Sequence, residues 1–568
     1  MFHASGGDAP PRNRRRRRFA VGASALLVSV GVLASITLVP ASAGTKSRGL
    51  HPSGQLLTAH TDVYSTPNVG TLAVGARNGV LANDSGGPLQ MISHTDPSHG
   101  SVTLSDDGSF QYVPQQGFVG DDTFSYTIAN SVQLFSDNLP PLAMVGGVSL
   151  NAGAFGSSMY PVPGRQGEFY GLEDRGPNVT APDGSAVEPI PTYDPAIAKF
   201  RFVNGKAVLL RKIPLTDTHG HPYSGLVNSQ NPTGEVIEDI NGHVLAQDPN
   251  GYDPEGLVAL RDGTFWVSDE YGPFVTHFNS QGRQIQRLSP LDGSLPRELL
   301  NRVINRGMEG LTITPDGRTL VGIMQSSLQQ ADLNGSNAKN IVPVRIVTYD
   351  LRSGTLHEYL FLLDDPKANG TAVSEIAALS STQFLVDERD GNFPSAGGYK
   401  KLWRIDISNA TDVGPHAQVT GATYDAQHGG LLIAGKTIEA LTVGETTAAA
   451  AATLQQAGIT PVTSTLFLDV DALLTSLDPQ DRFYSHDKVE GVSVLDGGHQ
   501  IVISNDSDFG IAGVTNAAPP WQLQSKISPA TGQQDNGEYL VIDMDRITQA
   551  NSSAATATAS VTIHVTQG

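Results

Sequence analysis

Asp253-Pro254-Glu255-Gly256-Leu257-Val258-Ala259-Leu260, then Asp262-Gly263, then Thr264-Phe265-Trp266-Val267-Ser268-Asp269-Glu270-Tyr271-Gly272, reads as strand, tight turn, strand. The Asp-Gly pair suits a hairpin turn, and the apolar β-branched and aromatic residues on either side suit strands. The unit recurs. Met308-Glu309-Gly310-Leu311-Thr312-Ile313, Asp316-Gly317 and Thr319-Leu320-Val321-Gly322-Ile323-Met324 match it without a gap. A third copy runs from Glu375-Ile376-Ala377-Ala378-Leu379 into Phe384-Leu385-Val386-Asp387-Glu388-Arg389-Asp390-Gly391, and a fourth from Glu490-Gly491-Val492-Ser493-Val494 into Ile501-Val502-Ile503-Ser504-Asn505-Asp506. The earliest copy starts at Gly147-Val148-Ser149-Leu150, takes its second strand from Phe169-Tyr170-Gly171-Leu172-Glu173-Asp174-Arg175-Gly176, and lacks the leading glutamate.

Outer-strand candidates such as Leu402-Trp403-Arg404-Ile405-Asp406 and Tyr539-Leu540-Val541-Ile542-Asp543 bring each unit to about four strands, one blade of a β-propeller. The chain is therefore expected to be all-β. Five blades are legible, and wide spacings after the first and fourth favour six, the alternative being insertions at those points. Ala448 to Gln456 reads as a short helix on the outside.

The start of the first strand of an antiparallel hairpin and the end of its second share one edge of the sheet. Glu255, Glu309, Glu375 and Glu490 from strand beginnings should thus gather with Glu173, Asp174, Asp269, Glu270, Asp387, Glu388 and Asp506 from strand ends around one mouth of the central channel. Crowded carboxylates repel unless protonated or neutralised. A bound divalent cation resolves this, with Glu173, Glu255, Asp269, Glu270, Glu309, Glu490 and Asp506 as the candidate ligands. All-oxygen donors favour Ca2+, with Mg2+ and Mn2+ as alternatives. Each acid taken singly has a second role open to it, capping a strand through backbone hydrogen bonds. Arg175, Arg389 and Lys488 lie among these acids and suit a phosphate or carboxylate substrate as candidate catalytic residues, salt-bridging being the alternative. His219-Gly220-His221 falls outside the repeat and reads as a solvated loop.

Other functions are excluded by composition. The chain has no cysteine, so it has no disulfide, thiol nucleophile or cysteine-ligated zinc. It has no Gly-x-Ser-x-Gly elbow. Its formal net charge is −20, which opposes nucleic acid as a partner. The basic run Arg14 to Arg18, the apolar run Phe19 to Val39 and Ala41-Ser42-Ala43 read as a cleaved export signal over 1–43, and 44–55 as a linker. Arg16-Arg17-Arg18-Phe19 also fits a twin-arginine signal. Cleavage removes six arginines and one aspartate, leaving the secreted chain more acidic still.

From Leu56 short alternating runs separated by Gly, Asn, Asp and Pro indicate a small β-sandwich over 56–135. Asp62-Val63-Tyr64-Ser65-Thr66, Gly79-Val80-Leu81-Ala82-Asn83-Asp84 and Gly117-Phe118-Val119-Gly120-Asp121-Asp122-Thr123-Phe124-Ser125-Tyr126-Thr127-Ile128 resemble the bacterial cadherin-like (Ig-like) repeat family. That resemblance implies one more alternating strand after Ile128, which is absent there. Ala557-Thr558-Ala559-Ser560-Val561-Thr562-Ile563-His564-Val565 supplies such a strand at the far end, so the propeller over 140–549 is expected to be inserted into the sandwich, completed by 552–568. Asp62, Asp84, Asp121 and Asp122 read as solvated turn carboxylates. The attached sandwich suggests contact with a cell wall or surface.

Glu-Asp-Arg-Gly-Pro-Asn at 173–178, Asp-Pro-Glu-Gly-Leu at 253–257, Ser-Asp-Glu-Tyr-Gly at 268–272, Asn-Arg-Gly-Met-Glu-Gly-Leu at 305–311 and Asp-Glu-Arg-Asp-Gly-Asn at 387–392 resemble the esterase-like phytase family. The resemblance implies a secreted propeller that hydrolyses phosphate esters, and the lack of a Gly-x-Ser-x-Gly elbow makes metal-activated water the expected nucleophile. A metal-dependent lactone hydrolase and a non-catalytic extracellular binding module are the competing readings.

Overall fold

The computed structural model describes residues 56–568 except Thr233 and Ala396. The export signal read at 1–43 and the linker at 44–55 lie outside the described residues.

Five four-stranded blades form the propeller, one fewer than the spacing suggested. Blade 1 holds Ser158–Pro161, Glu168–Leu172, Ala196–Val203 and Lys206–Pro214 from the channel outward. Blade 2 holds Pro254–Ala259, Phe265–Asp269, Val275–Phe278 and Gln284–Leu288, and blade 3 holds Met308–Ile313, Thr319–Met324, Pro343–Asp350 and Leu356–Leu362. Blade 4 holds Ala372–Ala378, Gln383–Arg389, Lys400–Asp406 and Thr463–Asp469. Blade 5 takes Val489–Leu495, Gln500–Asn505 and Glu538–Asp543 from the C-terminal part of the chain, and its outer strand Val132–Ser136 from the N-terminal part. The innermost strands pack side by side in a closed ring. At the outer rim Lys206 pairs with Ser136, joining blades 1 and 5 into one continuous sheet.

The wide spacings hold insertions. One carries the small sheet of Val179–Thr180, Ala186–Glu188 and Ile237–Asp239. The other, between the last two strands of blade 4, carries the hairpins of Ala422–Asp425, Gly430–Ile433 and Lys436–Thr437 with the helices Ile438–Leu441 and Thr447–Gln456. The first repeat is also corrected. Its inner strand is Ser158–Pro161, and Val148–Leu150 instead pairs with Ala143–Val145 in a separate hairpin. Gly164 and Gly167, both at positive φ, make the tight return from Pro161 to Phe169 that the longer loop from Leu150 could not.

The inner strands meet where side chains are absent. A Cβ on Gly256 would lie 2.5 Å from the Leu311 amide nitrogen, one on Gly310 2.5 Å from that of Ile376, and one on Gly491 2.9 Å from that of Met159. In blades 2, 3 and 5 a bulge falls at the Glu-Gly pair, whereas in blade 4 it falls at Ser374-Glu375. Glu375 thus stands in the glycine's register, one residue on from the mouth position expected of it. Its carboxyl turns into the channel, where Oε1 accepts from the amides of Leu311 (3.1 Å) and Ile376 (2.9 Å). Its Oε2 bonds the Ser158 hydroxyl, which accepts from the Leu257 amide at 3.1 Å. One side chain so ties four blades together, and burial pushes its carboxyl well above the usual range.

In the sandwich, Thr556–Thr566 lies between Asp62–Pro67, to which it is parallel, and Gly120–Ala129, to which it is antiparallel, with Gln90–His94 beyond. The second sheet is Leu72–Val74, Phe110–Pro114 and Gly100–Leu104. Alternation places Ala559, Val561, Ile563 and Val565 against Phe110, Tyr112, Phe124 and Tyr126 in one core. Val132–Ser136 belongs to blade 5, so the sandwich ends before it and short of residue 135. Of the four turn acids, Asp122 is buried and accepts from the Tyr112 hydroxyl at 2.8 Å, while Asp84 and Asp62 receive the Tyr126 hydroxyl at 2.9 and 3.3 Å. Asp121 pairs with His564 on the C-terminal strand.

Candidate metal and anion centre

The beginnings and ends of the inner hairpins open into a cavity of about 980 Å³ at one end of the channel. Eight of the ten candidate site residues line it: Arg175, Glu255, Glu270, Glu309, Arg389, Lys488, Glu490 and Asp506. They come from all five blades or the turns that leave them, as the edge rule for hairpins requires.

Glu173 and Asp269 do not line it. Glu173 is fully buried and paired with Lys212 at 3.0 Å. Asp269 accepts from the amides of Asp253 (2.9 Å), Tyr271 (3.0 Å) and Gly272 (2.7 Å), the strand-capping role, and so fixes the loop that carries Asp253. Asp174 reaches the cavity; Asp387 and Glu388 do not, and Glu388 bonds the Thr371 hydroxyl at 2.7 Å and the Asp364 amide at 2.9 Å.

Asp253, Glu255 and Glu270 form the tightest acidic group. One oxygen from each lies within 4.8 Å of the others, and all three residues are buried. Asp253 was missed in the sequence, although it opens the motif, because the repeat places glutamate rather than aspartate at the shared position. Burial first, then the charges of Glu309, Asp253, Glu270 and Glu490, push the Glu255 carboxyl well above the usual range. Glu270 moves the same way through burial and then Glu309. Glu309 is pushed up to about 8 by burial and then Glu490. Glu270 Oε1 and Glu309 Oε2 are buried without a hydrogen-bond partner among the described residues. Orphaned carboxylate oxygens beside mutually repelling acids are what a hard divalent cation would satisfy, so the donor set fits such an ion.

The three candidate cations are engaged. Arg175 forks onto Glu235 at 3.1 and 3.2 Å, reaches Asn178 at 2.9 Å and bonds the Tyr271 hydroxyl. Arg389 pairs with Glu490 and donates to Ser374 Oγ at 2.9 Å. Lys488 bridges Asp506, at 2.8 Å, and Asp508. The lining contains no histidine, serine or cysteine among its described residues. Elsewhere, Asp217 lies beside His219 and His221, but its carboxylate accepts from both their amides, at 2.7 and 2.9 Å, and closes its own exposed loop.

Fold and site together define a five-bladed propeller, with an Ig-like sandwich attached, whose channel mouth gathers carboxylates and guanidinium groups. The chain belongs to the family described as esterase-like activity of phytase, whose model matches residues 151–509, more than half of the chain. A bacterial Ig domain model matches residues 55–137. An uncharacterized secreted protein of Arthroderma benhamiae is 32% identical over 242 residues, covering 34% of this chain and 47% of that protein, so the chain spans about half the length of this relative. Among solved structures, a luciferin-regenerating enzyme aligns over 83% of this chain and 95% of its own at 9% identity and a TM-score of 0.28. A virginiamycin B lyase from Staphylococcus aureus aligns over 72% of this chain and 99% of its own at 11% identity and a TM-score of 0.26.

Proposed function

We propose that this protein is a secreted, metal-dependent phosphoester hydrolase acting at the acidic mouth of the propeller. The observation that carries this reading is the buried group Asp253, Glu255 and Glu270, with an orphaned Glu270 oxygen, in a member of the esterase-like phytase family. These three residues would hold the ion, with Ca2+ favoured and Mg2+ or Mn2+ as alternatives. A divalent ion there supplies neutralising charge and Lewis-acid polarisation of a phosphoryl oxygen.

The chain's own residues supply the rest. Asp269 fixes the Asp253 loop, Gln325 holds Glu309 Oε1, and Arg389 holds Glu490, so the acids are set before substrate arrives. In this reading water is the nucleophile and a lining carboxylate takes its proton. Secretion is part of the proposal. It is supported by the N-terminal basic and apolar runs and by the secreted relative, and no helix among the described residues is long and apolar enough to cross a membrane.

The test is phosphate release from phytate and simple phosphomonoesters, and ring opening of sugar lactones, by protein loaded with calcium, magnesium or manganese and by protein treated with chelator. Phosphate release that disappears with chelator is expected. Glu255→Gln should lose at least tenfold in calcium affinity by calorimetry, together with turnover. Opening of lactones alone would reassign the substrate, and failure to cleave any ester would end the hydrolase reading in favour of a binding module.

A further inference from the structure

Six cationic side chains line the cavity, and four of them are bonded. Arg175, Arg389 and Lys488 pair with acids as described, and Arg302 donates to the carbonyls of Glu270 (3.0 Å) and Asn231 (3.2 Å). The other two, Arg306 and Lys339, make no side-chain hydrogen bond or ion pair among the described residues. Neither belongs to a blade strand. Arg306 ends the loop that leads from Arg297–Asn301 into blade 3, and Lys339 lies on the short Ala338–Asn340 turn between the second and third strands of that blade. Arg306 is half-buried beneath the rim and Lys339 is exposed on it.

We propose that Arg306 and Lys339 form the oxyanion-binding pair of this site and take the phosphate group of the substrate, while the four bonded cations serve to hold the carboxylates and the backbone around them. This assignment rests on the phosphoester reading above.

Three observations support it. A guanidinium or ammonium group already bonded to carboxylates must break those bonds to take a phosphate, whereas an unbonded one loses only water. Burial first and then the charge of Arg306 disfavour the charge on Lys339, and burial, with a smaller part from Arg389, disfavours the charge on Arg306 against the pull of Glu270 and Glu309. An anion between them relieves both effects. Finally, Arg306 lies in the field of Glu270 and Glu309 and lines the same cavity as the acids that would hold the ion, so a phosphate bound there would share the cavity with that ion. Ile304, in the same loop and 46% exposed, offers an apolar contact to the carbon skeleton of an ester. Because both cations sit on connecting segments, they can set specificity without disturbing the acidic floor.

The experiment is a calorimetric titration of the purified protein with inorganic phosphate, and separately with calcium, for the wild type, Arg306→Gln, Lys339→Gln and the double variant. The double variant is expected to bind phosphate at least tenfold more weakly, with calcium affinity no weaker than that of wild type because positive charge beside the acids is lost, and an unchanged melting temperature. On a phosphomonoester, KM should rise at least tenfold while kcat stays within threefold. Unchanged phosphate affinity and KM in the double variant would overturn the proposal, even if hydrolysis is real. So would a wild type that binds no phosphate. Phosphate binding that depends on the pair, in a protein that cleaves no ester, would uphold the pair as an anion site and remove the hydrolase reading alone.

Discussion

At the residue scale, Gly256 shows what the Glu-Gly motif is for. The glutamate supplies a carboxyl to the mouth, and the glycine lets the next inner strand come close enough to leave no room for a Cβ: one placed there would stand 2.4 Å from Ser268 Oγ and 2.5 Å from the Leu311 amide nitrogen. Gly256→Ala is therefore expected to destabilise the protein by about 3 kcal/mol, the upper part of the range for overpacking a core. Gly317, at φ +70° with open space around it, should cost only about 1 kcal/mol as alanine, through backbone strain. Chemical denaturation of the two variants gives the comparison; equal costs would mean that the strand contact at Gly256 yields without penalty. The motif was legible as a pattern, but its register in blade 4 was not. Glu375 looks like Glu255 in sequence, yet a bulge shifted by one residue turns it from the mouth into the channel.

At the element scale, the important pair is Gly120–Ala129 and Thr556–Thr566, which are 431 residues apart at the Thr127–Thr558 contact and bonded there at 2.9 Å. After two intervening residues beyond Ala129 the chain starts Val132–Ser136, the outer strand of blade 5, whose partner Glu538–Asp543 leads back toward Thr556. Antiparallel neighbours in the blade thus hand over to antiparallel neighbours in the sandwich. Deleting residues 552–568 would remove Val561, Ile563 and Val565 from the core, leave Asp62–Pro67 without a partner and expose one edge of Gly120–Ala129. Loss of the sandwich's melting transition and protease cleavage within 56–130 are the expected results. A sandwich that keeps its melting profile after the deletion would show that the C-terminal strand is dispensable.

At the scale of the whole molecule, pH acts through buried charge. His486 is 4% exposed, with Nδ1 2.6 Å from Asp535 and Nε2 3.1 Å from Glu538. Although burial opposes its charge, the Asp535 carboxylate outweighs it and raises the imidazolium pKa from 6.5 to about 9. A folded value above the unfolded one means the folded state holds the proton more tightly. This stabilisation, on the order of 3 kcal/mol, is fully present below pH 6.5 and lost as pH rises through about 9. Asp137, Glu188 and Glu388, each pushed up to about 7 by burial, add loss in the same direction from lower pH. Melting temperature measured from pH 6 to pH 10 should therefore fall, and His486→Gln should flatten the part above pH 6.5. An unflattened curve would place the proton elsewhere.

What the sequence determined by itself was local and periodic. Alternation, Asp-Gly turns and the repeated Glu-Gly defined hairpins, hairpins repeated in series defined a propeller, and the shared edge of an antiparallel pair was enough to send Glu255, Glu270, Glu309 and Glu490 to one mouth. Short-range backbone geometry dictates all of this. Tertiary structure decided what depends on ring closure and on contacts between distant segments. Five blades close the ring because the outer strand of blade 5 is drawn from Val132–Ser136, and because the wide gaps fold into insertions. Which cations are bonded and which lack a side-chain bond among the described residues was set in the same way, since the acids facing Arg175 and Lys488, and the loops carrying Arg306 and Lys339, meet only when separate connections converge over the mouth. No periodicity records such a meeting, because the partners share a cavity rather than a strand.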